Sequence, residues 1–234
     1  MQIIEVTRLA GVRVNVVTLT SPGASLKFVL FPMIHLAEQS FYDSVVARLR
    51  ECDLVVAEGV GPGSAVGAAV MLAYRLNARF GRSRLVLQTL HLGELGVPVI
   101  NPDATGAEFE ASWRTTPLWL RLVASALFPF ILIWSLAFGT RGLIASQLPL
   151  DDLPSRDKLL LSNSVTQNID RVLLDERDRR LCDQLMEIQR THRAEAIQVA
   201  VVYGAGHLPA VTEFLNQRAG YFPSGGEWLT AFHL

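Results

Sequence analysis

The chain has 234 residues, 50% of them hydrophobic, and a formal net charge of −1. A chain of this length can bury a full core as one domain or as a domain with an insertion. The absence of a basic excess argues against nucleic acid as a partner. Only two cysteines are present, and the first residues lack the charged and apolar regions of a signal peptide. We therefore expect a cytoplasmic protein.

Strand and helix patterns take turns along the chain, which is typical of an α/β fold. The alternation in residues 12–16 predicts an early strand or hairpin, and the apolar run 26–31 predicts a buried strand. Apolar residues at i+4 spacing predict a helix over residues 38–51. Further elements are predicted in the same alternation: strands at Leu54, Leu85, Val97 and 197–203, and helices ending near Phe80 and covering 157–190. The expected architecture is a mixed central sheet flanked by helices.

Three chemically active side chains follow predicted strands. His35 ends the segment Pro32-Met33-Ile34-His35, Glu58 follows the apolar run 53–57, and His207 ends Gly204-Ala205-Gly206-His207. The carboxyl ends of strands in an open α/β sheet gather ligands, so these residues are expected to converge on one site. Two imidazoles and a carboxylate are a common catalytic metal set that leaves a position open for water. The sequence therefore predicts a divalent metal bound by His35, Glu58 and His207. It does not identify the metal, and Mn, Co and Zn are all plausible.

Each of these residues also has a purely structural interpretation. A histidine near a strand end can be a hydrogen-bonded core or rim residue, and Glu58 can be the partner of a neighbouring helix end. The pairing of two histidine segments favours function, as do Gly204 and Gly206, which allow a ligand to approach closely. His91 also follows a predicted strand, but nothing near it supports a role as a ligand. The glycine-rich stretch 59–64 resembles a phosphate-binding turn, yet it lacks the last glycine of the dinucleotide fingerprint.

Arg177 lies in the middle of an apolar helix face. The residues of that face repeat every four positions and are Ile169, Leu173, Arg177, Leu181 and Leu185. The guanidinium is therefore expected to point inward, where it needs acceptors. It could stabilise a developing oxyanion or bind a substrate carboxylate. The alternative is a structural ion pair, most simply with Asp103 or Glu58.

Residues 122–140 carry no charge and are bracketed by Arg121 and Arg141. On length alone this segment could span a bilayer. A single crossing would, however, separate the first histidine segment from the second, which is incompatible with a shared site. Because Pro129 would break a helix, we predict two short helices that form an apolar hairpin within an insertion of residues 113–150. Through residues 118–148, that hairpin could be buried, form a homo-oligomer interface or contact a membrane peripherally.

Four motifs of the chain resemble those of the TraB/TIKI superfamily, which also includes the GumN and pheromone-shutdown proteins. The motifs follow the family's order and are Val29-Leu30-Phe31-Pro32-Met33-Ile34-His35, Val55-Val56-Ala57-Glu58-Gly59, Leu174-Asp175-Glu176-Arg177-Asp178 and Val201-Val202-Tyr203-Gly204-Ala205-Gly206-His207-Leu208-Pro209. They extend roughly over residues 25–218, so the resemblance implies one TraB/TIKI-like domain over residues 1–234. One position departs from the family pattern, because Pro32 stands where the family has glycine.

The resemblance implies an α/β fold akin to erythromycin esterase and to a haem-binding bacterial lipoprotein. It also implies an active site made of the paired histidine motifs and the glutamate. Animal members look like metal-dependent, membrane-tethered peptidases. By this resemblance, a metalloprotease-like activity and membrane association are expected.

The sequence thus predicts a metal-dependent hydrolase that acts on a peptide or a similar amide or ester. Its predicted catalytic residues are His35, Glu58, Arg177 and His207. The metal would lower the pKa of a bound water, and Arg177 would stabilise the oxyanion. Two alternatives stay open: a non-catalytic protein that sequesters a peptide or haem at a membrane, and a metal-free esterase with a histidine as general base.

Overall fold

The computed structural model describes residues 2–59, 65–88, 90–103, 107–108, 111, 114, 117–146, 148 and 176–234. The strands are β1 (Ile4–Thr7), β2 (Gly11–Thr20), β3 (Lys27–Met33), β4 (Leu36–Ala37), β5 (Leu54–Ala57), β6 (Val86–Leu87), β7 (Val99–Ile100), β8 (Gln198–Gly204) and β9 (Phe222–Phe232). The helices are α1 (Gln39–Leu49), α2 (Ala65–Phe80), α3 (Leu118–Phe138), α4 (Arg141–Ser146), α5 (Glu176–His192) and α6 (Leu208–Ala219). Most of the predicted glycine-rich turn, and the predicted helical residues 157–175, lie outside the described residues.

In the described part of the chain, seven strands form one mixed sheet. Strands β3, β8, β5 and β7 lie side by side and run parallel. Strand β2 is antiparallel to β3, and it pairs with β1 and β9 in antiparallel fashion. Strands β4 and β6 form a separate antiparallel pair. The predicted α/β class, with a mixed central sheet flanked by helices, is confirmed.

The strand sequences account for the positions of the strands within the sheet. Residues 199–203 of β8 are all apolar or aromatic and at most 2% exposed. A continuous apolar run of this kind suits a central parallel strand, which is covered on both faces. In contrast, β2 alternates over much of its length between buried and half-buried residues, as expected where only one face packs on the core. The core of the molecule therefore surrounds β3, β8 and β5.

The register of the parallel strands brings their carboxyl ends to one edge. Met33 at the end of β3 pairs with Gly204 at the end of β8, and Ala57 at the end of β5 pairs with Val202. The backbone continues this alignment, because the Glu58 amide donates to the Val202 carbonyl over 2.9 Å. Residues that directly follow β3, β5 and β8 are therefore neighbours in space.

The predicted break of the apolar segment at Pro129 is wrong, because α3 is continuous from Leu118 to Phe138 with Pro129 inside it. Proline in a helix removes one backbone hydrogen bond and costs about 3 kcal/mol. The residues on both sides are mostly apolar and include no glycine or second proline, so the other bonds of the helix are kept. The chain leaves the helix after Phe138 and begins α4 at Arg141. Among the helices of the described residues, none combines the length and apolar character needed to cross a membrane.

Candidate active site

A cavity of about 600 Å³ lies at the carboxyl edge of the parallel strands. Its polar walls include the four predicted site residues, His35, Glu58, Arg177 and His207. The volume lies within the range of about 300–1,000 Å³ that is common for small-molecule sites. The fold therefore brings side chains from β3, β5, α5 and β8, or from the turns after them, to one cavity.

Arg177 of α5 bridges two carboxylates at the polar end of the cavity. Its Nε and Nη2 donate to Asp103 over 2.8 and 2.6 Å, and Nη2 also donates to Glu58 Oε1 over 2.5 Å. The side chain of Asp103 has no exposed surface, and that of Arg177 is 15% exposed. Burial lowers the pKa of the guanidinium, but Asp103 and Glu58 outweigh it, so the net pKa is raised. The ion pair named as an alternative from the sequence therefore exists, and it involves both candidate partners.

Asp103 also fixes the backbone that follows β5. Its Oδ2 accepts the amide proton of Gly59 over 3.2 Å, while Asn101 Nδ2 donates to the Gly59 carbonyl over 2.8 Å. The amide of Asp103 in turn donates to Asn101 Oδ1 over 2.9 Å. These bonds join the turn after β7 to the turn after β5, so the position of Glu58 depends on both strands.

Glu58 is held from two sides. Its Oε1 accepts from Arg177, and its Oε2 accepts the backbone amide of Gly204 over 2.5 Å. A Cβ atom at position 204 would lie only 3.2 Å from Oε2. Glycine at the end of β8 thus allows the carboxylate to approach the backbone closely.

His207 forms a second polar pair beside this network. Its Nδ1 lies 2.5 Å from Asp178 Oδ1, and its Nε2 lies 3.8 Å from Glu58 Oε1. The residue is only 5% exposed, and its ring meets the ring of Tyr203 edge-on at 5.8 Å. Because a carboxylate accepts, Nδ1 carries the proton in the neutral ring and Nε2 presents its lone pair towards Glu58. The pair has the geometry of a histidine general base that is oriented by a carboxylate.

Asp178 was not singled out as a site residue from the sequence, although it ends the motif that contains Arg177. A signal for it was present in the helix pattern. Residues 181 and 182, one turn further along α5, are buried, so position 178 lies at the edge of the buried face. Its partner His207 comes from a different element, which is why no local pattern identifies the pair.

His35 has a different environment from the other predicted site residues. Its ring lies against the ring of Tyr74 on α2, with centroids 4.8 Å apart, and the residue is exposed. Burial, followed by the charge of Glu58, raises the pKa of Tyr74. His35 therefore shares the cavity wall, whereas the hydrogen-bonded network of the polar end is formed by other residues.

The predicted metal donors share the cavity, but they are not gathered into a ready-made metal site. Within the described residues, no group of three or more histidine, cysteine, aspartate or glutamate side chains is placed to hold one. Glu58 Oε1 already accepts from the Arg177 guanidinium. His91 lines another cavity, beside α1, and adds no donor to this one. Metal binding by His35, Glu58 and His207 stays a prediction.

Comparisons with protein-family models, with curated proteins and with solved structures find no match to this chain. Functional inference therefore depends on the geometry of the cavity. Its polar end combines a histidine–aspartate pair with a carboxylate that an arginine and a backbone amide hold in place.

Proposed function

We propose that this cavity is the active site of a hydrolase that cleaves an ester or amide with His207 as the general base. The observation that carries the proposal is the orientation of His207, whose Nδ1 pairs with Asp178 while Nε2 lies 3.8 Å from Glu58 Oε1. That distance is too long for a direct hydrogen bond, but a water molecule lying to one side can bond to both atoms. The two groups would hold the water that attacks the substrate.

The reaction follows from these positions. Nε2 of His207 removes a proton from the water, and the water oxygen attacks the carbonyl carbon of the substrate. The electron pair of the carbonyl π bond moves to its oxygen, giving a tetrahedral oxyanion. When this intermediate collapses, the bond to the leaving oxygen or nitrogen breaks, and His207 returns its proton to the leaving group. Asp178 stabilises the imidazolium that exists between the two proton transfers.

Arg177 and Glu58 have supporting parts in this proposal. Arg177 holds the Glu58 carboxylate in position, and its positive charge, which lines the same cavity, would stabilise an oxyanion that forms beside it. Glu58 orients the water through Oε1 while Oε2 stays fixed on Gly204. His35, at the exposed part of the wall, would contact the substrate rather than the water.

A metal-dependent hydrolase of the TraB/TIKI type is the second candidate, and it would act on a peptide or a similar amide. One observation favours it, because a histidine that ligates a metal usually bonds its other nitrogen to a carboxylate, as His207 does with Asp178. For this candidate, His35, Glu58 and His207 would hold the ion. Glu58 Oε1 would then have to give up its hydrogen bond from Arg177.

One experiment tests the proposal and separates the two candidates. The purified protein is assayed with a panel of simple esters and peptide amides, with and without a chelator, and its metal content is measured. His207→Ala should lower kcat by about a hundred- to ten-thousand-fold, because it removes the general base. His192→Ala, which changes an exposed histidine paired with Glu195, is the matched control and should keep full activity.

The outcomes differ clearly between the candidates. Hydrolysis that survives chelation and is lost in His207→Ala supports the general base. Hydrolysis lost on chelation and restored by a divalent metal supports the metal-dependent candidate. If His207→Ala hydrolyses the substrates as fast as the unchanged protein, both candidates are wrong.

A further inference from the structure

The lining of the cavity combines charged and apolar side chains. Its apolar wall consists of residues from β3, α3, α4 and the segment after α4, namely Met33, Phe128, Leu132, Leu143, Ile144 and Leu148. General acid–base chemistry does not need such a wall. An apolar surface this close to an ester- or amide-cleaving site suits the hydrocarbon portion of a substrate.

The apolar wall is fixed to the body of the protein by Arg141, the first residue of α4. Its Nη1 donates to Glu38 Oε1 over 2.6 Å and to the carbonyl of His233 over 2.9 Å. Its Nε donates to the carbonyl of Ser83 over 3.0 Å. Glu38 comes three residues after His35, so the same ion pair connects α4 to the segment that carries a cavity histidine. Helix α4, which carries part of the apolar wall, is therefore linked directly to the segment that carries His35.

The outer surface of α3 continues this apolar character. Phe130, Ile133 and Trp134 are each at least 60% exposed, and they lie on the same helix as the cavity residues Phe128 and Leu132. Helix α3 thus presents apolar side chains both to the cavity and to solvent. This arrangement favours a ligand with a hydrocarbon chain over a fully polar one.

We infer that the apolar wall binds the acyl chain of an amphipathic ester or amide without an anionic head group, whose carbonyl lies between His207, Glu58 and Arg177. This inference rests on the proposed function, because it names the substrate class of the same site. An anionic head group would be repelled, since the carboxylates of Glu58, Asp103 and Asp178 outnumber the Arg177 guanidinium. The chain would run from the polar end along Leu143 and Leu132.

The test measures binding rather than turnover. Calorimetric titration of the full chain with primary alkyl amides, from butanamide to decanamide, gives the affinity as a function of chain length. Each methylene buried against the wall should tighten binding roughly fourfold, until the wall is filled. Leu132→Gln and Leu143→Gln should each reduce this gain with chain length, since both replace an apolar wall residue by a polar one.

Ile133→Gln is the matched control, because Ile133 is the neighbour of Leu132 on α3 but is 64% exposed and lies outside the cavity wall. It should leave the dependence on chain length unchanged. An unchanged protein whose affinity does not rise with chain length would overturn the inference without any variant. The inference would also be overturned if Leu132→Gln and Ile133→Gln reduce the gain in affinity with chain length equally. That result would indicate that the ligand adsorbs to the outer surface of α3.

The result is independent of catalysis. Binding that grows with chain length in a protein without hydrolytic activity would reject the proposed function but keep the acyl-chain site. Hydrolysis of short esters with no gain from longer chains would reject the acyl-chain site but keep the hydrolase.

Discussion

At the scale of single residues, the site depends on opposite charges that lie close together in a confined space. Arg177 is the partner of both Asp103 and Glu58, and the Asp103 side chain has no exposed surface. Removing one partner of such a group leaves a buried charge uncompensated, and this costs far more than losing an exposed ion pair. Arg177 should therefore matter for folding as well as for chemistry.

We expect Arg177→Met to lower the free energy of unfolding by about 3–5 kcal/mol, because Asp103 loses its cation in a buried position. Urea denaturation followed by circular dichroism measures the loss. Arg180→Met, which breaks a more exposed pair with Glu108, is the control and should cost at most about 1 kcal/mol. Adding Asp103→Asn to Arg177→Met should recover part of the stability. A double variant less stable than Arg177→Met alone would contradict the charge argument.

Asp178→Asn tests the histidine–aspartate pair within the proposed hydrolase. The amide keeps the size of the side chain but removes the charge that stabilises an imidazolium and fixes the proton on Nδ1. We expect kcat to fall by about a hundred- to ten-thousand-fold, with little change in KM. Steady-state kinetics measure both, and Asp183→Asn on the same helix, at an exposed position, is the control. If kcat falls no further in Asp178→Asn than in Asp183→Asn, Asp178 has no part in the mechanism.

The two cysteines provide a prediction that depends on pH. Burial, with smaller contributions from neighbouring carboxylates, raises the pKa of Cys52 to about 11 and that of Cys182 to about 12. Both thiols should therefore resist alkylation by iodoacetamide at about pH 8 in the folded protein and react after denaturation, as mass spectrometry would show. Because the folded protein holds these thiols protonated, stability should be full below about pH 8.5, the pKa of an unfolded thiol, and decline above it. Rapid alkylation of either cysteine without denaturant would contradict this.

At the scale of elements, α3 shows the limit of a local rule. Pro129 predicts a helix break when it is considered alone, yet the helix continues for nine residues beyond it. The rule gives the cost of one lost hydrogen bond, whereas the outcome depends on all the other backbone bonds of the helix, which no glycine or second proline interrupts. The chain turns instead at Gly139 and Thr140, where that run ends.

Replacement of Pro129 by alanine should stabilise the protein by about 1–3 kcal/mol, because the restored amide can bond to the carbonyl four residues earlier. Pro129 is exposed, so no cavity would form. Denaturant titration measures the change, and helical circular dichroism should not decrease. Ala126→Gly, at an exposed position in the same helix, should instead cost about 1 kcal/mol. A destabilised Pro129→Ala would mean that the proline is required where it stands.

The other elements show what sequence patterns can and cannot predict. The central strands were predicted closely, since buried parallel strands are continuous apolar runs between turns. The strands expected at Leu85 and Val97 are present as β6 and β7, but each has only two residues and begins one or two positions later. Such short strands depend on their pairing partners rather than on their own composition. Asp178 could not be identified from the sequence for a similar reason, because its partner His207 lies 29 residues away.

At the scale of the whole molecule, one side of the protein has an apolar surface that a sheet-based core does not need. Trp119, Phe130 and Trp134 of α3 are each more than half exposed. Large apolar patches on a protein surface usually mark a contact site. Tryptophan suits the boundary between water and lipid, so we expect residues 118–148 to contact a membrane peripherally rather than a second copy of the chain.

This expectation is tested by flotation with neutral phospholipid vesicles. The unchanged protein should float with the vesicles, and Phe130→Glu combined with Trp134→Glu should stay behind, because both changes place charge on the contact surface. The double variant should keep its Tm, since neither side chain is part of the core. The homo-oligomer would be supported instead if the unchanged protein does not float and light scattering shows that it forms dimers. The double variant should then be monomeric.

The parallel pairing of β3 with β8 has a consequence for how the protein folds. Phe31 and Val202 are register partners although they lie 171 positions apart in the chain. Closing so long a loop is entropically unfavourable, and contacts of high sequence separation slow folding. His35 follows β3, His207 follows β8 and Glu58 follows β5, which also pairs with β8, so the site assembles only when these long-range pairings form. During refolding, the activity of the proposed hydrolase should therefore return in the slowest phase, after most of the helical signal has recovered.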